Sequence, residues 1–325
     1  MRRAGGPAVE LTVLICVDHL LQKIQPTGLL CVYDGTGMRG SCYTGGIATK
    51  IKNTLEEMVD KTQSGFIPGR SGLQRLVETA AHLGFSTVAI NYVFEPTTKE
   101  KQEVPSPVPI SELIGQLPVV QGRSHPIKVL NRLTMVMSEA SPFRSYATEF
   151  RAFDLLAIQP TTEKLFHTIC MEWDVDIICI SMTEKLPFFF KRAPINGAID
   201  RGVVFEVSYA SALRDSTMRR YTIANAVCLM ESCKGKNVIV SSAAEKALEL
   251  RGPYDIINLG TLFGLSDADS KEAVSSTCRA VLLHAETRKT ASGIVYTRNS
   301  QQEALQDSDG SEAPAAKRPK PTDRD

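Results

Sequence analysis

Short apolar runs recur through the middle of the chain at 87–91, 128–137, 155–158, 177–180, 203–207 and 238–240. Each is followed by polar turn residues and then by a stretch with helical spacing. Most runs are continuously apolar rather than alternating, the pattern of a parallel strand covered on both faces. Between the last two, Ile223, Val227 and Met230 fall at i, i+4 and i+7 and mark a helix face. Lys234-Gly235-Lys236 then offers basic residues and a stopping glycine. Repeated strand–helix units imply right-handed parallel crossovers. Six such strands, with no glycine fingerprint at the first turn, predict a closed or nearly closed α/β barrel.

The flanks differ in texture. In 1–70, β-like runs at 12–17 and 29–33 precede a crowd of glycines. Gly35-Thr36-Gly37-Met38-Arg39-Gly40 has the form of a dinucleotide fingerprint. The following Ser-Cys-Tyr-Thr-Gly-Gly is a poor opening for a phosphate-binding helix, so the segment reads as a turn region of low order. Residues 71–292 carry the barrel pattern. In 293–325 the only large apolar residues, Ile294, Val295, Tyr296 and Leu305, all lie at its start. The stretch from 299 onwards reads as a disordered tail, which cannot bury enough surface to offset chain entropy. The tail ends in a basic cluster, Lys317-Arg318-Pro319-Lys320.

Composition narrows the class without choosing a function. The chain has 325 residues and a formal charge of +1, so no global field marks a nucleic-acid binder and any basic surface must be local. A 43% hydrophobic share suits a folded chain. No apolar run is long enough to span a membrane, and 11–21 is interrupted by Asp18 and His19. Eight cysteines lack disulfide-scaffold density or zinc spacing. They read as reduced core thiols in a reducing compartment.

In parallel α/β barrels, binding groups gather on the loops after the strands. Read in that order, the loops offer Lys164, Lys185, Lys191, Arg192, Arg219, Arg220 and Arg251 as RNA- or phosphate-binding candidates. Acidic residues are then expected to concentrate elsewhere. Arg219 and Arg220 stand in the first turn of a helix that Ser216 or Thr217 would cap. Cations oppose the dipole there, whereas a bound anion would reverse the cost. The alternative is a solvated pair, or a salt bridge to Glu206 or Asp215. Phe188, Phe189 and Phe190, before Lys191 and Arg192, either stack bases or pack at the barrel rim.

The five histidines, His19, His82, His125, His167 and His284, do not follow strand ends directly, as metal ligands on such a barrel would. No catalytic residue, metal ligand or cofactor is assigned.

Several long blocks carry a resemblance. They are 72–85 (Gly-Leu-Gln-Arg-Leu-Val-Glu-Thr-Ala-Ala-His-Leu-Gly-Phe), 183–188, 198–202, 215–223, 233–239, 241–245 and His284-Ala285-Glu286-Thr287-Arg288-Lys289-Thr290. Over about two thirds of its length the chain closely resembles the thirty-kilodalton protein subunit of ribonuclease P and ribonuclease MRP, a family with archaeal members. The resemblance implies a TIM-like barrel of about seven strands related to the polymerase-and-histidinol-phosphatase enzymes, without their metal ligands. It also implies a non-catalytic, RNA-binding subunit of a particle in which RNA removes the 5′ leader of precursor tRNA and, in the MRP form, processes rRNA. The implied partners are the ribonuclease P and MRP RNAs, precursor tRNA indirectly, a small processing-of-precursors subunit and other particle proteins, with no membrane. Nucleus and nucleolus follow as the location, and Lys317, Arg318 and Lys320 would suit import.

One departure stands out. The family begins with a short strand ending in alternating acidic residues, and here about seventy unrelated residues replace it. Either 13–17 substitutes as the first strand, or the barrel stays open beside 87–91. A bare edge there would lower stability relative to a chain with the family start. The competing function is a metal-dependent phosphoesterase on the same barrel.

Overall fold

The computed structural model describes residues 8–12, 70–96, 104–138, 148–186 and 188–290. Seven strands form one sheet in sequential order: β1 (Ala8–Thr12), β2 (Thr87–Phe94), β3 (Lys128–Met137), β4 (Leu155–Pro160), β5 (Ile177–Cys179), β6 (Val204–Ser208) and β7 (Val238–Ser241). From β2 to β7 every pairing is parallel. Sequential order without a reversal is barrel winding, so among the described residues there is no switch-point crevice of the dinucleotide-binding kind. The six parallel strands curl into a half-barrel, and the far edge of β7 meets no described strand.

The first strand matches neither arrangement expected for it. β1 lies at 8–12 and runs antiparallel to β2, with Ala8 opposite Val93 and Thr12 opposite Ala89. The edge of β2 is therefore covered, which removes the bare-edge argument for lower stability. A segment from within 1–70 joins the sheet. The runs at 13–17 and 29–33, the glycine motif and the tail cluster Lys317, Arg318 and Lys320 lie outside the described residues.

Helices α1 (Arg70–His82), α2 (Ile110–Leu113), α3 (Thr148–Arg151), α4 (Glu163–Glu172), α5 (Arg192–Asp200), α6 (Ala210–Arg214) and α7 (Ser216–Cys233) occur in the connections between strands. After β7 come α8 (Pro253–Leu262), α9 (Asp267–Ala273) and α10 (Ser276–Lys289). Side chains alternate across a strand. Val88, Leu133, Ile158, Ile178, Phe205 and Val240 point to the face that packs on Leu76, Val77, Phe166, Ile195 and Leu229 of the helices. Ala89, Leu130, Leu155, Ile177, Val204 and Ile239 point to the other face, where Cys278, Val281 and Ala285 of α10 cover them. Both faces are dry, which is why the strands read as apolar runs rather than alternating ones.

α7 shows where periodicity misjudged a face. Its buried residues are Thr222, Asn225, Ala226, Leu229, Met230 and Cys233, while Ile223 and Val227 sit at the margin. The buried stripe includes small and polar side chains, so the strongest apolar spacing does not lie on its centre line. Its stop also comes one residue early. Lys234 takes the left-handed cap at φ 55°, followed by Gly235 at 73°.

Of the eight cysteines, the described ones, Cys170, Cys179, Cys228, Cys233 and Cys278, are free thiols, and all but half-buried Cys228 are buried. This fits core thiols. No helix among the described residues is long and apolar enough to cross a membrane.

Candidate functional site

One step further along five of the six parallel strands, the face that is apolar under α10 turns polar. Asn91, Arg132, Cys179, Glu206 and Ser241 follow Ala89, Leu130, Ile177, Val204 and Ile239 at the next same-face position. Arg132 is only 1% exposed and Glu206 5%. Arg132 Nη1 donates to Glu206 Oε1 at 2.6 Å and Nη2 donates to Cys179 Sγ at 2.9 Å and to Glu206 Oε2. Its Nε donates to Thr134 Oγ1 at 3.1 Å, and Thr134 in turn donates to Asn91 Oδ1 at 2.6 Å.

Burial alone would push the Glu206 carboxyl up. The Arg132 charge and the hydrogen bonds from Arg132 and Cys179 outweigh it and hold the group below its ordinary value. Burial and the neighbouring Glu206 carboxylate drive the Cys179 thiol well up, which favours its protonated form near neutrality. The Arg132 guanidinium and both Glu206 oxygens are thus engaged by one another and by Cys179, while the Ser241 hydroxyl beside them has no hydrogen-bond partner among the described residues. Among the described residues no group of three or more His, Cys, Asp or Glu is placed to hold a metal ion.

A second ionic knot lies at the opposite, N-terminal ends of the strands. Asp176 is fully buried and accepts from Leu156 N at 2.8 Å and from Arg288 Nη2 at 2.9 Å, while His284 Nδ1 lies 2.9 Å away. Burial raises this carboxyl, but the hydrogen bonds from His284 and Arg288 and the Arg288 charge bring it below its ordinary value. Lys289 reaches Asp154 at 3.3 Å. The last two turns of α10 are thereby fastened to the start of β4 and β5.

The cationic candidates lie on the connections after the strands, and acids are interleaved with them rather than segregated. Lys191 pairs with Glu163 at 2.7 Å, both well exposed. Arg214, absent from the sequence candidates, donates to Glu249 at 2.6 Å and to Glu245 at 2.7 Å. The Glu249 hydrogen bonds and the charges of both acids raise it further despite burial. Arg251 Nη1 donates to the carbonyls of Leu248 (2.7 Å) and Leu250 (2.9 Å), so it braces its own loop.

The start of α7 differs from expectation. Its cap is Asp215, whose Oδ1 accepts from Thr217 N at 2.8 Å and Met218 N at 2.9 Å, rather than Ser216 or Thr217. Those backbone hydrogen bonds hold the Asp215 carboxyl below its ordinary value. A carboxylate thus already occupies the place imagined for a phosphate. Arg219 is exposed, with Nε donating to Ala212 O at 2.8 Å, and Arg220 is exposed beside it. Glu206, a proposed partner of this pair, belongs to Arg132.

Lys164 and Lys191 come together around one cavity of about 540 Å³ with Arg192 next in the chain, at the N-terminus of α5. Lys185 is exposed on the same β5–α5 connection, which Asn225 of α7 pins by donating to Met182 O (3.1 Å) and Glu184 O (2.7 Å). The three phenylalanines separate. Phe188 and Phe190 pack with Phe166 at ring distances of 5.2 and 5.8 Å, whereas Phe189 is 86% exposed.

Sequence reasoning missed the Arg132 network, although a signal was present. A single arginine in Lys128–Met137 and a single glutamate in Val204–Ser208 break apolar strands at positions of the same face.

A family model described as RNase P subunit p30 matches residues 67–290. The chain is 58% identical over 228 residues to "Ribonuclease P protein subunit p30" of Mus musculus, covering 69% of this chain and 85% of that one. It is 33% identical over 217 residues to "Probable ribonuclease P protein subunit 3" of Schizosaccharomyces pombe, 67% of this chain and 88% of that one. It is 27% identical over 220 residues to "Ribonuclease P/MRP protein subunit RPP1" of Saccharomyces cerevisiae, 67% and 74% respectively.

Proposed function

The chain belongs to the RNase P subunit p30 family, and from that premise we propose that it is an RNA-binding subunit of ribonuclease P and ribonuclease MRP that leaves the cleavage to another component. The observation that carries the non-catalytic half is the Arg132–Glu206 pair. The carboxylate on the polar end of the face that α10 covers is engaged on both oxygens by a guanidinium and on one by the Cys179 thiol as well. A group so occupied is a structural brace, not a base or a ligand waiting for metal.

The RNA-binding half rests on Lys164, Lys185, Lys191, Arg192, Arg219 and Arg220, all exposed on connections at one end of the sheet or on the helix starts there. Helices α4, α5 and α7, which carry or adjoin these cations, pack against one another in that order. Arg251 is the weakest member, being committed to its own loop. Particle proteins, including a small processing-of-precursors subunit, belong to the same proposal as partners. So does nuclear and nucleolar residence, with Lys317, Arg318 and Lys320 as the import cluster.

The test is binding of labelled RNA by the full chain across a salt series. Affinity should fall by roughly 0.7–0.9 log units per log unit of salt for each phosphate neutralised. Arg219→Ala with Arg220→Ala, and Lys191→Ala with Arg192→Ala, should weaken binding without moving the melting temperature. Sustained turnover of a phosphoester with manganese or zinc, abolished by changing His125 or Glu245, would select the phosphoesterase instead. The structure gives that outcome little footing. His125 lies in the turn before β3, its Nδ1 3.2 Å from the Pro126 carbonyl, and Glu245 is bound by Arg214.

A further inference from the structure

We infer that the cavity beside Phe189 is a stacking site for an unpaired RNA base, with Lys164 and Lys191 taking the phosphates on either side. This deepens the RNA-binding reading above and rests on it. Phe189 is the most exposed large apolar side chain among the described residues, at 86%. Leaving a phenylalanine in water forgoes the free energy of burying it. Its neighbours do not share that exposure. Phe188 is 6% exposed, and Phe188 and Phe190 meet edge-on at 6.0 Å while both pack on Phe166. Asn225 pins the connection further upstream. The exposed ring is thus held out from a fixed base.

The cavity beside the ring, about 540 Å³, is of small-ligand size and is lined by Glu163, Lys164, His167, Phe189, Lys191 and Pro194. Its apolar surfaces are the Phe189 ring, Pro194 and Phe166. Its charged surfaces are two lysines and one glutamate, and Arg192 stands at the adjoining helix start. The Lys191–Glu163 pair is solvated on both sides, at 69% and 49% side-chain exposure, so it holds Lys191 only weakly. A phosphate can take the ammonium over at little cost.

A fully exposed flat ring in one cavity with two ammonium groups suits a chain that alternates flat bases with anions. A protein interface would present a contiguous apolar patch instead. Duplex RNA hides the faces of its bases, so the occupant is unpaired.

The experiment uses the full chain with a fluorescent single-stranded RNA of about ten nucleotides containing 2-aminopurine, and a hairpin of equal charge as the control. Phe189→Ala should weaken single-strand binding roughly 5- to 150-fold, the span for one lost base stack. It should leave hairpin binding and the salt slope unchanged and abolish quenching of the 2-aminopurine. Phe189→Tyr should restore both affinity and quenching. Lys164→Ala with Lys191→Ala should lower the log–log salt slope by about 1.4 while keeping the quench at saturation.

Single-strand affinity and quenching unaltered in Phe189→Ala would overturn the stacking site while leaving the RNA-binding reading intact. The stacking site also falls if that variant releases a protein subunit of the particle but binds RNA normally. Absence of salt-sensitive RNA binding in the unaltered chain would overturn the RNA-binding reading, and the stacking site with it.

Discussion

Arg132 and Arg220 carry the same charge at the two extremes of exposure. Arg132 is 1% exposed, and its guanidinium donates to Thr134, Cys179 and both oxygens of Glu206. Arg220 stands in water near the start of α7, and Lys191 shares only a solvated pair with Glu163. A buried charge has to be saturated by the fold, because an unpaired one would cost several kcal/mol. An exposed charge remains available to a polyanion. Sequence alone shows both as basic residues, one inside an apolar run and one at a helix start; burial and saturation divide the structural ions from the binding ones.

Breaking the buried side should give the largest effect. Glu206→Gln leaves Arg132 charged and short of its partner, and urea unfolding should show a loss of roughly 3–5 kcal/mol. An unchanged midpoint would mean that water reaches the pair and that it braces nothing. The other ionic knot should cost less. Asp176→Asn keeps an acceptor for Leu156 N but loses the charge facing Arg288 and His284, for an expected loss of roughly 1.5–3 kcal/mol. Amide exchange should then quicken first in α10, which this carboxylate fastens to the sheet.

Acid titration sharpens the same contrast. Both Asp176 and Glu206 are held below their ordinary values in the folded chain. The stability they contribute is therefore complete above the unfolded carboxyl values of about 4 and is lost as pH falls through the folded ones. Melting temperature should hold down to about pH 5 and drop below it, and the drop should be shallower in Asp176→Asn.

The smallest effects belong to the rim. Lys191→Ala should change stability by less than about 0.5 kcal/mol, since an exposed ion pair contributes little. A larger loss would move Lys191 to the structural side and weaken its claim on phosphate.

Much of the barrel was readable because both faces of the sheet are dry. The run at 128–137 coincides with β3, and those at 87–91, 155–158, 177–180, 203–207 and 238–240 fall on five further strands. The antiparallel β1 was not readable, since five residues in a glycine-rich flank carry no sign of pairing direction. The α7 cap was misread because Asp215, Ser216 and Thr217 are all competent caps, and the backbone alone decides which reaches N2 and N3. The phenylalanine triad was equally open, since three identical rings in a row cannot announce which one faces out.

By itself the amino-acid order determined the family and the winding, through long matching blocks and apolar runs whose spacing admits few other arrangements. Tertiary structure decided the employment of each charge. Whether a guanidinium meets a carboxylate in a dry interior or stands in water depends on strand register and on what covers the sheet, and those are properties of residues far apart in the chain.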